Sequence, residues 1–317
     1  MDETRAVRTS IGSRRIGIAL LVGYLVVYAG MLFAMHRVGG FDVTEPLQVL
    51  AILGLGFSLA AWLMTVGVRP LAYSIPRPGR ELAVVGVCLL LVVVFVTWGL
   101  ASLHRYVPSD PANAVVILAA KLVVFVVIPA VVMRVLFGYG LRRLMPISAQ
   151  TRHLLAMLGM SVMLLAFQAV IGRGLRDIVS ARAPAPVLWY GVPLVFVWLA
   201  LEVGVVEEFF FRVLLQTRLA AALKSELGGI VLMALIFGLA HAPGLYLRTG
   251  LTQEGLPSHP SLLMAVGYSI VITSVAGFFV GVLWARTRNF AVVVFIHAMG
   301  DLLPNVLPTL HSLRLLS

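Results

Sequence analysis

The 317 residues are 61% hydrophobic and only 12% charged, with a formal net charge of +11. A soluble domain carries about 25% charged residues, so a water-soluble globule is excluded. The basic excess, 22 Arg and 2 Lys against 13 acids, mostly flanks apolar runs, which points to membrane orientation and lipid headgroup contact and not to nucleic acid.

In chain order, Arg5, Arg8, Arg14 and Arg15 precede a first apolar run at 16–35. A run of about 20 residues suits a retained signal-anchor helix better than a cleaved signal. Further runs follow at 47–66, 82–103, 113–137, 153–171, 187–217, 228–242, 262–285 and 290–307, separated by breaks rich in Pro, Gly and Arg. Cys88, the single cysteine, lies inside one of them and has no partner for an intrachain disulfide. Helices are the default, because lipid offers the backbone no hydrogen-bonding partners. The expected fold is all-α, a polytopic transmembrane helical bundle of eight or nine helices.

Basic residues cluster before the first run, at Arg69, Arg77 and Arg80, at Arg142, Arg143 and Arg152, near Arg218 and Lys224, and at Arg286 and Arg288. These are alternate loops, which predicts a cytoplasmic N-terminus in a multi-pass protein of the cell (plasma or inner) membrane. The loop with Arg173, Arg176 and Arg182 breaks the alternation, as a segment lying on the membrane or a miscounted span would. Residues 1–180 read as accessory transmembrane helices, and the chemistry falls in 187–307.

An ionisable side chain inside a span costs about 2.5–3.5 kcal/mol on insertion scales, so its position is informative. Between Pro186 and Pro308 the runs hold Glu202, Glu207, Glu208, Arg212, His241, His297 and Asp301, whereas the first five offer mainly Lys121 and Arg134. Glu208 and Arg212 are four apart, a spacing suited to an ion pair, while Glu207 lies about 100° around an α-helix from Glu208 without a local partner. His241 stands as far after Lys224 as Glu207 stands before it, so an antiparallel hairpin sets both at a similar depth, within about one 5.4 Å turn. His297 and Asp301 are again four apart, on one face of the last long helix. Each group also fits a purely structural role, the acids locking helices through Arg212 and the His297/Asp301 pair tying down the C-terminal helix.

Several hydrolytic solutions fail on motif. No His is followed directly by Glu, which removes H-E-x-x-H, and no G-x-S-x-G occurs. An aspartyl pair needs two intramembrane aspartates, and Asp301 is the only one within a run. Two acids, two histidines and an aspartate can still activate water and stabilise an oxyanion, which amounts to amide hydrolysis without a covalent intermediate. In that scheme Glu207 takes the proton from water, His241 helps to position it, and His297 with Asp301 faces the carbonyl oxygen.

Three strings carry a resemblance: Glu207-Glu208-Phe209-Phe210-Phe211-Arg212, Phe237-Gly238-Leu239-Ala240-His241 and His297-Ala298-Met299-Gly300-Asp301. Together, in order and on three apolar helices, they resemble the CAAX-protease and bacteriocin-processing (CPBP) family, with its E-E-x-x-x-R, F-x-x-x-H and H-x-x-x-N or H-x-x-x-D pattern. The resemblance covers roughly 187–305. It implies a glutamate-type intramembrane endopeptidase with Glu207 as base, His241, His297 and Asp301 completing the site, and Glu208, Arg212 and Phe237 in support. The lipid bilayer and a membrane-anchored peptide or protein substrate are the implied partners, and no cofactor is required. Other readings use the same residues: a zinc-dependent protease with Glu207, His241, His297 and Asp301 as ligands, a proton-coupled transporter, or a non-catalytic scaffold or immunity factor.

Overall fold

A computed structural model describes residues 11–107, 110–247 and 256–316; Arg5 and Arg8 of the N-terminal basic flank lie outside them. The described residues are helical with no strand. The long helices are α1 (Ile11–Gly39), α2 (Thr44–Met64), α3 (Pro78–Gly99), α4 (Pro111–Phe137) and α5 (Thr151–Val170). There follow a short α6 (Gly174–Ser180), a continuous helical stretch α7 (185–223), α8 (Glu226–Leu247), α9 (Leu262–Thr287), α10 (Phe290–Gly300) and α11 (Leu302–Ser312). Among the described residues seven helices are long and apolar enough to cross a membrane, or eight if the bent pair α10 and α11 forms one span. The chain is therefore all-α and polytopic, and each of the nine apolar runs lies largely on helix.

Two features depart from the expected elements. The Arg173–Arg182 loop contains the short helix α6, whose Gly174 packs so closely on the Leu303 backbone that a Cβ there would sit 2.5 Å from its carbonyl carbon. The last run is not one helix: α10 and α11 meet at a 77° bend with Asp301 at the break. Pro304 accounts for it, because a proline donates no N–H and its ring collides with the carbonyl four residues earlier, here Gly300.

The helices sort into two compact units, each drawn from several stretches of chain. The first comprises Met1–Leu59, Tyr73–Val93 and Phe211–Ala285. Within it α8 packs against α1, the end of α7 and α9, around a core that includes Tyr24, Tyr28, Met35, Val231, Tyr268 and Val275. Lipid gives no hydrophobic drive for helices to associate, so close packing through small residues must supply it. Gly238 faces the Ser269 carbonyl and Ser274 at a separation that leaves no room for a side chain, and Gly229 lies equally tight on Ala220.

The same unit buries an ion pair, Arg218 Nε to Glu81 Oε2 at 3.2 Å, with the Arg218 Nη1 donating to the Val213 carbonyl at 2.8 Å. Both side chains are sealed from solvent, at 0% and 1% exposure. Arg218 is thus not the headgroup contact that its place near a run end suggests. Removing one member of a buried pair leaves the other charge stranded, at a cost of about 3–5 kcal/mol. Arg218→Met should lower the chemical denaturation midpoint accordingly, and Glu81→Gln added to it should recover much of the loss.

The second unit comprises Ala60–Ala72, Val94–Phe210 and Arg286–Ser317. Here α10 packs between α5 and the first part of α7, while α11 lies on α6 and α7. Asn289 caps α10 by accepting from the Ala291 N–H at 3.1 Å, and its amide nitrogen reaches the Ser148 carbonyl at 2.7 Å and His153 Nδ1 at 2.8 Å. His153, whose place near the end of an apolar run suggests an interfacial side chain, is buried in this network. Phe196 and Phe295 stack edge to face, 5.1 Å between centroids, and fix α7 against α10.

Candidate active site

The second unit gathers four acidic or imidazole groups at the contact of α7 and α10. Gly204 makes the approach possible: a Cβ there would lie 2.8 Å from the Val294 carbonyl oxygen, so only glycine lets the two backbones come this close. One turn further along α7, Glu207 and Glu208 reach the last turn of α10, which carries His297. Hydrogen bonding in α7 widens to the i→i+5 type over Ala200–Val205 and again over Glu208–Gln216, on either side of Glu207. Such widened turns occur frequently at functional sites.

His297 is the hub. Its Nδ1 lies 2.6 Å from Glu208 Oε1, a short bond of the charge-assisted kind. Its Nε2 faces Glu207 Oε2 at 3.9 Å and Asp301 Oδ2 at 3.6 Å. With a carboxylate accepting from Nδ1–H, the imidazole is fixed in orientation and its other nitrogen is directed to the two remaining acids. The acids are graded in exposure: Glu208 is fully buried, Glu207 is 17% exposed and Asp301 38%. The buried acid therefore holds the ring and the two accessible acids face its working nitrogen. Glu208 thus engages the ring through Nδ1, while Asp301 lies beside its other nitrogen.

Asp301 owes its position to the break between α10 and α11. Its N–H still donates to the His297 carbonyl at 3.2 Å, and its carbonyl accepts from the Asn305 amide at 2.8 Å. The break exposes backbone groups that lipid cannot satisfy, and Gln168 of α5 takes two of them. Its amide nitrogen donates to the Met299 carbonyl at 2.7 Å, and its carbonyl accepts from the Leu303 N–H at 2.9 Å.

About a turn and a half before Glu207, Glu202 pairs with Lys121 of α4 at 2.8 Å and accepts from the Trp198 indole N–H at 2.6 Å. Both partners keep a fifth to a quarter of their side chain exposed. Lys121 and Glu202, singled out separately in the sequence, thus form one ion pair within the span. The outer aromatics are divided: Trp189 and Tyr190 are exposed, whereas Phe209 and Phe210 are core residues.

The remaining candidates belong to the first unit. His241 lies on α8, where its Nδ1 engages the Phe237 carbonyl at 2.8 Å and its ring packs on Phe237 with 4.8 Å between centroids. A carbonyl only accepts, so Nδ1 is the donor in this bond. Arg212 is buried, its guanidinium 4.9 Å from the Phe237 ring centroid and Nη1 directed at Met233 Sδ at 2.6 Å. Phe237 thus supports both a cation and an imidazole.

The zinc alternative can be tested on this geometry. Among the described residues no three of His, Cys, Asp and Glu are arranged to hold a metal ion. Glu207 and Asp301 face the same imidazole nitrogen, at 3.9 and 3.6 Å, and with His297 they are the donors that the zinc reading would use.

Residues 189–303 match the family model described as type II CAAX prenyl endopeptidase Rce1-like. The match begins on α7 and ends two residues past Asp301, so it encloses all three strings that carry the polar groups. No curated protein and no solved structure matches the chain.

Proposed function

We propose that this chain, a member through residues 189–303 of the Rce1-like CAAX endopeptidase family, hydrolyses peptide bonds of membrane-associated substrates with Glu207 as general base. The match to that family and the long apolar helices support a multi-pass membrane protease. The observation that carries the finer reading is the single imidazole of His297, held at Nδ1 by buried Glu208 and turned at Nε2 toward the more accessible Glu207.

The 3.9 Å between Glu207 Oε2 and His297 Nε2 is too long for a direct hydrogen bond and suits a bridging water. In the proposed reaction Glu207 takes a proton from that water as its oxygen attacks the scissile carbonyl carbon. Charge develops on the carbonyl oxygen, and His297, with Nδ1–H given to Glu208, donates to it from Nε2 as the doubly protonated ring. Collapse breaks the C–N bond, and the proton held by Glu207 passes to the leaving amine, which restores the carboxylate. Glu208 keeps the imidazole in register throughout. Asp301 lies beside the same nitrogen, 3.6 Å away. The family pattern assigns His241 to the same chemistry.

The test is cleavage of a panel of membrane-tethered peptides by purified protein in lipid, with and without a strong chelator, for wild type and His241→Ala. The expected result is cleavage that changes less than about twofold with chelator, because no ligand must be released, and falls about 10²-fold or more in His241→Ala. Chelator inhibition reversed by zinc would replace the glutamate mechanism with the metal one. Absence of cleavage across the panel, with folded protein, would favour the scaffold or transporter readings.

A further inference from the structure

The geometry points to Gln168 as a positioning residue that splints the broken helix beneath Asp301 and so sets the alignment of the hydrolytic centre. The role rests on the reading of Glu207, His297 and Asp301 as that centre.

A helix that stops inside a membrane leaves carbonyls at its end and N–H groups at the start of the next helix with no water to meet them. Here Pro304 favours the stop, because it cannot supply the N–H that the Gly300 carbonyl would accept. Gln168 sits on α5, 4% exposed, and its primary amide offers one donor and one acceptor on the same planar head. It uses the donor on Met299, two residues before Asp301, and the acceptor on Leu303, two residues after it. One side chain thus spans the break and bonds to both ends.

Two consequences follow from that placement. The bend is held by a rigid amide plane and not by apolar contact alone, so the position of the Asp301 carboxylate relative to His297 Nε2 depends on it. Its nearest substitutes do not provide this connection: Asn is one methylene shorter, Leu has neither group, and Glu in its ionised form would present a carboxylate to the Met299 carbonyl. The residue does not contact the acids itself. It acts through the backbone on either side of Asp301, as the supporting shell of a site acts on the groups it orients.

The experiment compares Gln168→Leu and Gln168→Asn with wild type in two ways. In the cleavage assay both variants should lower kcat by about 10- to 100-fold while KM stays within about twofold, the pattern of lost alignment and not of lost substrate binding. In the second measurement Cys88 is replaced by Val, Asp301 by Cys, and labelling by a membrane-impermeant maleimide is timed with and without Gln168→Leu. The expected result is a labelling rate changed at least about fivefold by loss of the splint. Wild-type kcat in both Gln168 variants, or a drop in kcat with the labelling rate unchanged, would overturn the role. If wild type cuts no peptide, the protease reading fails and labelling alone decides whether Gln168 holds the break.

Discussion

Glu207→Gln is expected to lower kcat for peptide cleavage by about 10²- to 10⁴-fold, with KM within about threefold of wild type. The substitution keeps the size and polarity of the side chain and removes the ability to accept a proton. The partly exposed Glu207 makes no short bond to His297, so its amide can be accommodated without disturbing the ring, and the thermal midpoint should move little. A comparable loss accompanied by unfolding would mean that Glu207 serves packing; unchanged cleavage would remove it as the base.

Glu208→Gln should be nearly as damaging, about 10²- to 10⁴-fold in kcat, for a different reason. Glu208 is fully buried and its short bond to Nδ1 selects the ring orientation and tautomer that turn Nε2 to the reacting groups. A glutamine can accept from Nδ1–H through its carbonyl but brings no charge to balance a doubly protonated ring, and the neutral ring held that way has a lone pair and no donor at Nε2. The sequence-level reading of Glu208 as the ion-pair partner of Arg212 leads to another outcome, lost stability with catalysis preserved in the folded fraction. Measuring kcat and the melting midpoint of the same preparation separates the two.

Much of the site was legible because its chemistry is expensive in a membrane. Charged groups in apolar runs stand out against a background in which lipid excludes them, so Glu207, Glu208, His297 and Asp301 could be picked out without a structure. Gln168 could not. A scan for ionisable residues passes over an amide, and a lone glutamine in a span carries no sign of its partners. The signal that was present was indirect: Pro304 three residues after Asp301, which ends the helix and requires something nearby to satisfy the broken ladder.

Arg218 escaped for the opposite reason. An arginine close to the end of an apolar run normally snorkels to the headgroups, and nothing local distinguishes that arrangement from burial against Glu81, 137 residues away in sequence. His153 was likewise placed at the interface by its position near a span end, yet it is sealed by Asn289. In both cases the deciding partner is remote in sequence.

The sequence by itself determined that the chain is all-α, that it crosses a membrane several times, and that ionisable residues within its apolar runs are concentrated in its second half. Those properties follow from transfer free energies and backbone hydrogen bonding, which act on each segment whatever surrounds it. Only the tertiary structure decided which acid holds the imidazole and which faces its open nitrogen, that the last run breaks at Asp301, and that Gln168 bridges the break. Those outcomes depend on which helix packs against which, through contacts such as Gly204 on Val294, and such contacts are set by the shapes of side chains distant in sequence and not by the composition of either helix.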